Sequence, residues 1–121
     1  MKRILLIDDS AIQLRIMKGI LKDRYEVMMA TSGLDGIEIV KKKRPDLIIL
    51  DYEMPVVDGR TTLKMLKDKE DMRDIPVVFL TGVSEKEHIE AVLELKPQGY
   101  VLKPAEPEKL IAVIQKILGE Q

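Results

Sequence analysis

Short apolar runs alternate with longer amphipathic stretches along this chain. The runs are Ile4-Leu5-Leu6-Ile7, Val27-Met28-Met29-Ala30, Leu47-Ile48-Ile49-Leu50, Val77-Val78-Phe79-Leu80 and Tyr100-Val101-Leu102. Each is only three or four residues long and is bounded by charged or turn-forming residues, which favours strands over buried helix segments. Three of them are continuous rather than alternating, the pattern of strands covered on both faces, as in a parallel sheet.

The stretches between the runs carry helical spacing. The first begins at Ser10, a good N-cap, and extends to about Lys22. Its apolar arc of Ile16, Met17, Ile20 and Leu21 is expected to face the sheet, with Ile12 and Leu14 at the two flanks. The second, from about Gly33 to Lys43, places Leu34, Ile37 and Val40 at intervals of three and ends in a basic cluster before Pro45. The third runs from about Asp58 to Lys67 with Leu63 and Leu66 inward. A fourth is expected from Ser84, with Glu87 in capping-box position, to about Leu95. The fifth starts near Pro107, carries Leu110, Val113, Ile114, Ile117 and Leu118 on one face, and stops at Gly119.

Five strand–helix units in succession predict an α/β fold with a parallel sheet, helices on both faces and right-handed crossovers. The 121 residues suffice for one such domain, 1–121, and a composition 45% hydrophobic and 34% charged is that of a globular chain. With 20 basic and 21 acidic side chains the formal net charge is −1, which argues against a direct nucleic-acid binder. There is no cysteine, which excludes disulfides, thiolate catalysis and zinc-thiolate sites. The one histidine, His88, lies far in sequence from the acids and is expected at the surface. No apolar run approaches the ~20 residues of a membrane span, and nothing resembles a signal-peptide core, so the expected location is the cytoplasm. The chemistry still open to the chain belongs to carboxylates, lysine, hydroxyls and a metal that carboxylates can hold.

Ligands of open α/β sheets bind beyond the carboxyl ends of the strands. Here the first strand ends in Asp8-Asp9, the third in Asp51, the fourth in Thr81-Gly82 and the fifth in Lys103-Pro104. A lone aspartate after a strand usually caps a helix, but Ser10 is better placed for that than Asp8 or Asp9. Gathering three aspartates destabilises the fold unless a cation or a proton offsets their repulsion. Such oxygen-rich sites suit Mg²⁺. Acids for a metal, with a lysine and a hydroxyl for an anion, describe a site for a metal-bound phosphoryl group.

The chain resembles, over its whole length, the response-regulator receiver domain of two-component signalling. The resemblance rests on Asp8-Asp9, on Asp51 within Asp51-Tyr52-Glu53-Met54-Pro55-Val56-Val57-Asp58-Gly59, similar to the family's D-x-x-M-P-x-x-D-G stretch, on Thr81 followed by Gly82, and on Lys103-Pro104. It implies a flavodoxin-like, doubly wound (βα)5 fold with a five-stranded sheet of order 2-1-3-4-5, an order that receiver domains share with flavodoxins. It further implies that Asp51 is the phosphoacceptor, receiving a phosphoryl group from a phosphohistidine on a sensor histidine kinase or histidine phosphotransfer protein. Asp9 and Asp51 would be direct Mg²⁺ ligands, with Mn²⁺ able to substitute. Asp8 would act mainly through water, and Glu53 would contribute its backbone carbonyl. Lys103 would pair with a phosphoryl oxygen, aimed by a cis Lys103–Pro104 bond. Thr81 would donate its hydroxyl and, with Tyr100, form the switch. The first helix would dock on the kinase or phosphotransfer protein, with Ile12 and Leu14 in the patch. The fourth helix, fifth strand and fifth helix would face a downstream effector, with the protein a monomer or a phosphorylation-dependent dimer. The chain departs from common family patterns at Ala105 and at Gln98-Gly99.

Other readings fit less well. A receiver-like interaction module that takes no phosphate need not keep all of Asp8, Asp9, Asp51, Thr81 and Lys103. A small Mg²⁺-dependent aspartyl phosphatase of the haloacid dehalogenase type needs a D-x-D motif after the first strand, which Asp8-Asp9-Ser10 is not. A flavin binder on this topology needs a phosphate-cradling loop where two aspartates would repel it. The five units occupy Lys2 to Leu118, so the output of the chain as given is expected to be a surface rather than an effector domain.

Overall fold

Leu47–Asp51 and Val77–Thr81 are buried along their full lengths, and Arg3–Ile7 nearly so, because each lies in the middle of a sheet covered on both faces. The structure is a computed structural model and describes residues 1–52, 54, 57–82, 90, 93–94, 96–103 and 106–120. Among these residues the strands are β1 (Arg3–Ile7), β2 (Glu26–Ala30), β3 (Leu47–Asp51), β4 (Val77–Thr81) and β5 (Gly99–Leu102). The helices are α1 (Ala11–Leu21), α2 (Gly33–Lys42), α3 (Gly59–Lys67) and a C-terminal helix (Pro107–Leu118). The strand order is β2-β1-β3-β4-β5, with every pairing parallel. This is the flavodoxin-like order. The register sets Asp51 beside Leu80 and Thr81 beside Leu102, so the strand ends line up along one edge. The expected fourth helix, Ser84–Leu95, with its cap at Ser84 and with His88, lies mostly outside the described residues.

The sheet divides two apolar layers. On one face Leu5, Ile7, Ile48, Leu50 and Phe79 meet Ile37 and Val40 of α2 and Leu63 and Leu66 of α3. On the other, Ile4, Leu6, Ile49, Val78 and Leu80 meet Leu14, Met17 and Leu21 of α1 and Leu110 and Ile114 of the C-terminal helix. Each fully buried side chain of this size contributes roughly 1.5–3 kcal/mol relative to exposure. Two close approaches depend on glycine. A Cβ on Gly36 would lie 2.4 Å from Ile7 Cδ1, and one on Gly33 would lie 2.0 Å from Thr62 Oγ1, so α2 can press against both β1 and α3.

Helix starts follow local chemistry. Ser10 Oγ accepts from the Gln13 N–H, Ser32 Oγ from the Asp35 N–H and Asp58 Oδ1 from the Thr61 N–H, each satisfying an amide that the helix itself leaves open. Pro107 opens the C-terminal helix, and Gly119, left-handed at φ 73°, closes it while the Glu120 N–H donates to the Gln115 carbonyl. Gln98 sets the start of β5: its N–H donates to the Val77 carbonyl, and its Oε1 accepts from the Val77 N–H.

One expectation about a helix face is corrected. In α1 the buried stripe is Leu14, Met17 and Leu21, while Ile16 is 52% exposed and Ile20 only partly covered. The sheet meets the helix about 60–80° away from the centre of the expected arc, by the 100° per residue of helical geometry. Leu14 is therefore core, at 4% exposure, and is not available to a docking patch. In α2, Leu34 is exposed, because the close approaches at Gly33 and Gly36 turn Ile37 and Val40 inward and leave Leu34 outward.

Candidate functional site

The site lies at the carboxyl edge of the sheet, where β1, β3, β4 and β5 end side by side. Asp8 follows β1 and is fully buried. Its N–H donates to the Ala30 carbonyl, which ties the turn to β2, and its Oδ1 accepts from the Ser10 N–H at 2.9 Å. Asp8 Oδ2 is buried with no hydrogen-bond partner, and the nearest cation, Lys103 Nζ, is 3.6 Å away. Such an oxygen is costly to desolvate unless a cation meets it. Asp9, next in sequence, is exposed.

Asp51 closes β3 and is 2% exposed. Its place depends on the tight return of the chain into α3. The Gly59 N–H donates to the Tyr52 carbonyl at 2.9 Å, and a Cβ on Gly59 would lie 2.5 Å from the Asp51 carbonyl oxygen and 2.7 Å from Tyr52 Cα. Only glycine permits that approach. The Tyr52 ring meets Phe79 edge-on at 5.5 Å between centroids, which holds the start of this return against β4.

Carboxylate oxygens of Asp8, Asp9 and Asp51 all come within 4.8 Å of one another. Lys103 enters from β5. Its N–H donates to the Thr81 carbonyl, and its Nζ donates to Asp51 Oδ1 at 3.0 Å. Burial works to lower the pKa of the Lys103 ammonium, but the hydrogen bond and attraction of Asp51, with Asp8 adding to them, outweigh it and raise the pKa above that of an ordinary lysine. Thr81 ends β4, buried between Asp51 and Lys103 in strand order. Tyr100 stands on β5, 37% exposed, paired in register with Phe79.

The structure thus brings together Asp8, Asp9, Asp51 and Lys103, with Thr81 at the neighbouring strand end. Ile12 lies on the exposed face of α1. Glu53 and Pro104, and with them the expected carbonyl ligand and the cis bond, lie outside the described residues. The donor set fits a hard divalent cation: only oxygens are offered, they are close, and one is buried without a hydrogen-bond partner. Residue types alone assign no positioning role to Gly59. The Asp58-Gly59 pair signals a helix start, but only the fold shows that the missing side chain makes room for the Asp51 backbone.

The family model described as the response regulator receiver domain matches residues 4–115. The polar-differentiation response regulator DivK of Brucella ovis is 28% identical over 120 residues, covering 98% of each chain. Among solved structures, the signal receiver domain of a signal transduction histidine kinase from Syntrophus aciditrophicus is 31% identical with a TM-score of 0.91, covering 98% of this chain and 91% of that one. The Vibrio cholerae chemotaxis protein CheY4 is 29% identical with a TM-score of 0.90, covering 97% of this chain and 98% of that one. With a family match across nearly the whole chain, a sheet of order 2-1-3-4-5 and an acidic cluster at its carboxyl edge, the protein belongs to the response regulator receiver domain family.

Proposed function

We propose that the chain is a phosphorylation-activated signalling switch in which Asp51 accepts a phosphoryl group from a phosphohistidine of a sensor histidine kinase or histidine phosphotransfer protein. The observation that carries this reading is the meeting of three carboxylates with the Lys103 ammonium beside Asp51. An Asp51 carboxylate oxygen attacks phosphorus, the bond from phosphorus to the donor imidazole nitrogen breaks, and that nitrogen leaves with the electron pair. The product is an acyl phosphate. Lys103, held between Asp8 and Asp51, offers its charge to a phosphoryl oxygen, and a point charge serves there without fork geometry. Thr81 supplies a hydroxyl donor from the adjacent strand end.

Asp8, Asp9 and Asp51, with the Glu53 carbonyl, would hold Mg²⁺ or Mn²⁺. When bound, that ion screens the repulsion between carboxylate and phosphate and stabilises charge on the transferring oxygens. The chain is a switch that modifies itself rather than an enzyme that turns over a substrate. Its readout passes through Thr81 to β5, where Tyr100 turns inward when Thr81 is drawn toward the phosphoryl group, a shift between two packed states. The surface that responds includes β5 and the C-terminal helix; the expected fourth helix, Ser84–Leu95, lies mostly outside the described residues. A groove of about 630 Å³ lined by Tyr100, Leu102, Lys109, Ala112 and Val113 lies on it and would receive a downstream effector. On the donor side, Ile12 at 70% exposure is accessible to a kinase or phosphotransfer protein.

Intact-mass measurement after incubation with acetyl phosphate and Mg²⁺ tests this reading. One added phosphoryl group is expected, absent in Asp51→Ala. Modification that survives in Asp51→Ala, or steady turnover of phosphomonoesters, would overturn it.

A further inference from the structure

β2 is an outer strand of the sheet, paired on one side only, with β1. The Glu26 N–H donates to the Lys2 carbonyl and the Ala30 carbonyl accepts from the Asp8 N–H, so Glu26, Met28 and Ala30 turn their backbone groups toward β1. By the alternation of a strand, Val27 and Met29 turn theirs outward, two N–H and two C=O groups with no strand beside them among the described residues. Edges of this kind are commonly blunted by a proline, a bulge or a charge within the strand. Val27-Met28-Met29-Ala30 has neither proline nor charge, and it pairs residue for residue with Ile4, Leu5, Leu6 and Ile7 without a bulge. The strand's one charge, Glu26, is held by Arg3 and Lys43. Met29 is 38% exposed, and Val27 and Met28 are half-buried.

The helices on the two faces frame this edge differently. On α1, Gln13 and Ile20 lie on one flank of the buried stripe Leu14, Met17 and Leu21, and Arg15, Lys18 and the C-cap Lys22 lie on the other. The first flank is partly covered, with Ile20 packed in the apolar layer shared with the C-terminal helix; the basic flank is exposed. The right-handed sense of parallel crossovers turns the covered flank toward the C-terminal helix and sets the basic flank over β2. Among the described residues Arg15, Lys18 and Lys22 are in no ion pair. On the opposite face α2 turns Lys43 to the edge, where its Nζ lies 2.6 Å from Glu26 Oε1, and Ile39 and Met28 pack half-buried against the core.

Charge decides the occupant. A second copy paired through β2 about a two-fold axis would set the two basic flanks against each other, whereas an extended segment carrying Asp or Glu is attracted to them. We infer that the outer edge of β2 is a docking site for an extended acidic segment of a partner protein, which adds a sixth strand to the sheet. Backbone hydrogen bonds to Val27 and Met29 hold the segment. Its side chains on the α2 face are apolar and lie against Met28 and Ile39; those on the α1 face are acidic and reach toward Arg15, Lys18 and Lys22. Backbone pairing tolerates many sequences, so the basic flank supplies the selectivity and makes binding weaken with salt. Nothing at this edge depends on the chemistry of Asp51.

The probe is a short designed peptide of alternating valine and glutamate with capped ends. Its controls are the same peptide with lysine for every glutamate and the acidic peptide N-methylated along its backbone. Each is titrated into the isotopically labelled chain and followed by backbone amide NMR. The acidic peptide is expected to shift the Val27 and Met29 amide resonances and slow their hydrogen exchange, to bind at least tenfold more tightly than the basic one, and to weaken as salt rises. N-methylation should cost at least tenfold in affinity. Lys18→Glu should lower the preference for the acidic peptide at least fivefold. Met29→Pro removes an outward N–H that β1 does not use and should abolish binding in a folded protein; should that variant fail to fold, the N-methylated peptide tests the same hydrogen bonds from the other strand. Equal affinity for the acidic and basic peptides, no loss on N-methylation, resonance shifts confined to other elements, no binding of the acidic peptide, or pairing of the chain with itself through β2 would each overturn the inference.

Discussion

Lys103 Nζ stands 3.0 Å from Asp51 Oδ1 and 3.6 Å from Asp8 Oδ2, so one ammonium serves two buried carboxylates that come from different strand ends. Only the first contact is a hydrogen bond. Asp8 Oδ2 is left with attraction but no donor, which is the arrangement expected where a further cation belongs. Removing the lysine exposes this imbalance. Lys103→Met should destabilise the metal-free protein by about 1–3 kcal/mol, below the value for a fully buried pair because the lysine side chain is 25% exposed. Added Mg²⁺ should restore part of that loss, and labelling by acetyl phosphate should slow at least tenfold. Denaturant melts with Mg²⁺ and with chelator check the first two outcomes, and the rate of mass gain checks the third.

Metal linkage should be visible without any phosphodonor. At a concentration ~100 times its dissociation constant, Mg²⁺ should add about 2.7 kcal/mol to the stability of the wild-type chain. Asp8→Asn should lose most of that increment and should itself be as stable as wild type, or more so, when metal is removed, since it relieves like-charge repulsion. Paired thermal melts measure both. A metal increment unchanged in Asp8→Asn would mean that the acidic cluster is not the site of binding.

Gly59 is predicted to hold Asp51 in place through the space it leaves. A Cβ there would press on backbone atoms at 2.5 and 2.7 Å, which cannot move aside as a flexible side chain could. Gly59→Ala should cost about 1–3 kcal/mol, the range for overpacking. It should also slow Asp51 labelling more than Gly36→Ala does, where the obstacle is the tip of the Ile7 side chain. Comparing the two variants by denaturant titration and labelling rate distinguishes a positioning role from general destabilisation.

A pH prediction comes from the far side of the molecule. Burial, then the hydrogen bond from the Tyr25 hydroxyl to Glu120 Oε1 at 2.7 Å and the charge of that carboxylate, push the Tyr25 pKa up to about 12, against a small opposing effect of Arg24. Because the folded value is raised, the stabilisation is complete below the unfolded tyrosine value near 10 and is lost as pH rises through about 12. Ultraviolet titration should show Tyr25 ionising late. Tyr25→Phe should remove that transition and flatten the fall in stability across this window, to which Lys103, whose raised pKa acts in the same direction, also contributes.

The strand cores and the strand-end chemistry are legible in the sequence because both are written locally. A run such as Leu47–Leu50 between charged residues has one economical conformation, and Ser10 and Pro107 announce helix starts by the backbone groups they satisfy or lack. The placement of Asp8, Asp9, Asp51, Thr81 and Lys103 along one edge then follows from parallel strands ending together. What is not legible depends on contacts between elements. Isoleucine is as apolar as leucine, so nothing local distinguishes Ile16, exposed, from Leu14, buried; the rotation of α1 against β1 and β3 decides it. The spacing of Leu34, Ile37 and Val40 does not say which of them faces inward; Leu34 is exposed while Ile37 and Val40 are buried, and Gly33 and Gly36 set the side on which α2 meets its neighbours. The value of Gly59 likewise appears only when the Asp51 carbonyl is found beneath it.

Reductive trapping shows which aspartate carries the phosphoryl group. Borohydride reduces an acyl phosphate to the alcohol, converting the modified aspartate to homoserine, and peptide sequencing by mass spectrometry then locates it. After treatment with acetyl phosphate and Mg²⁺, homoserine is predicted at position 51 and at no other aspartate. Homoserine at Asp8 or Asp9, or incorporated phosphate with no homoserine at position 51, would contradict the account.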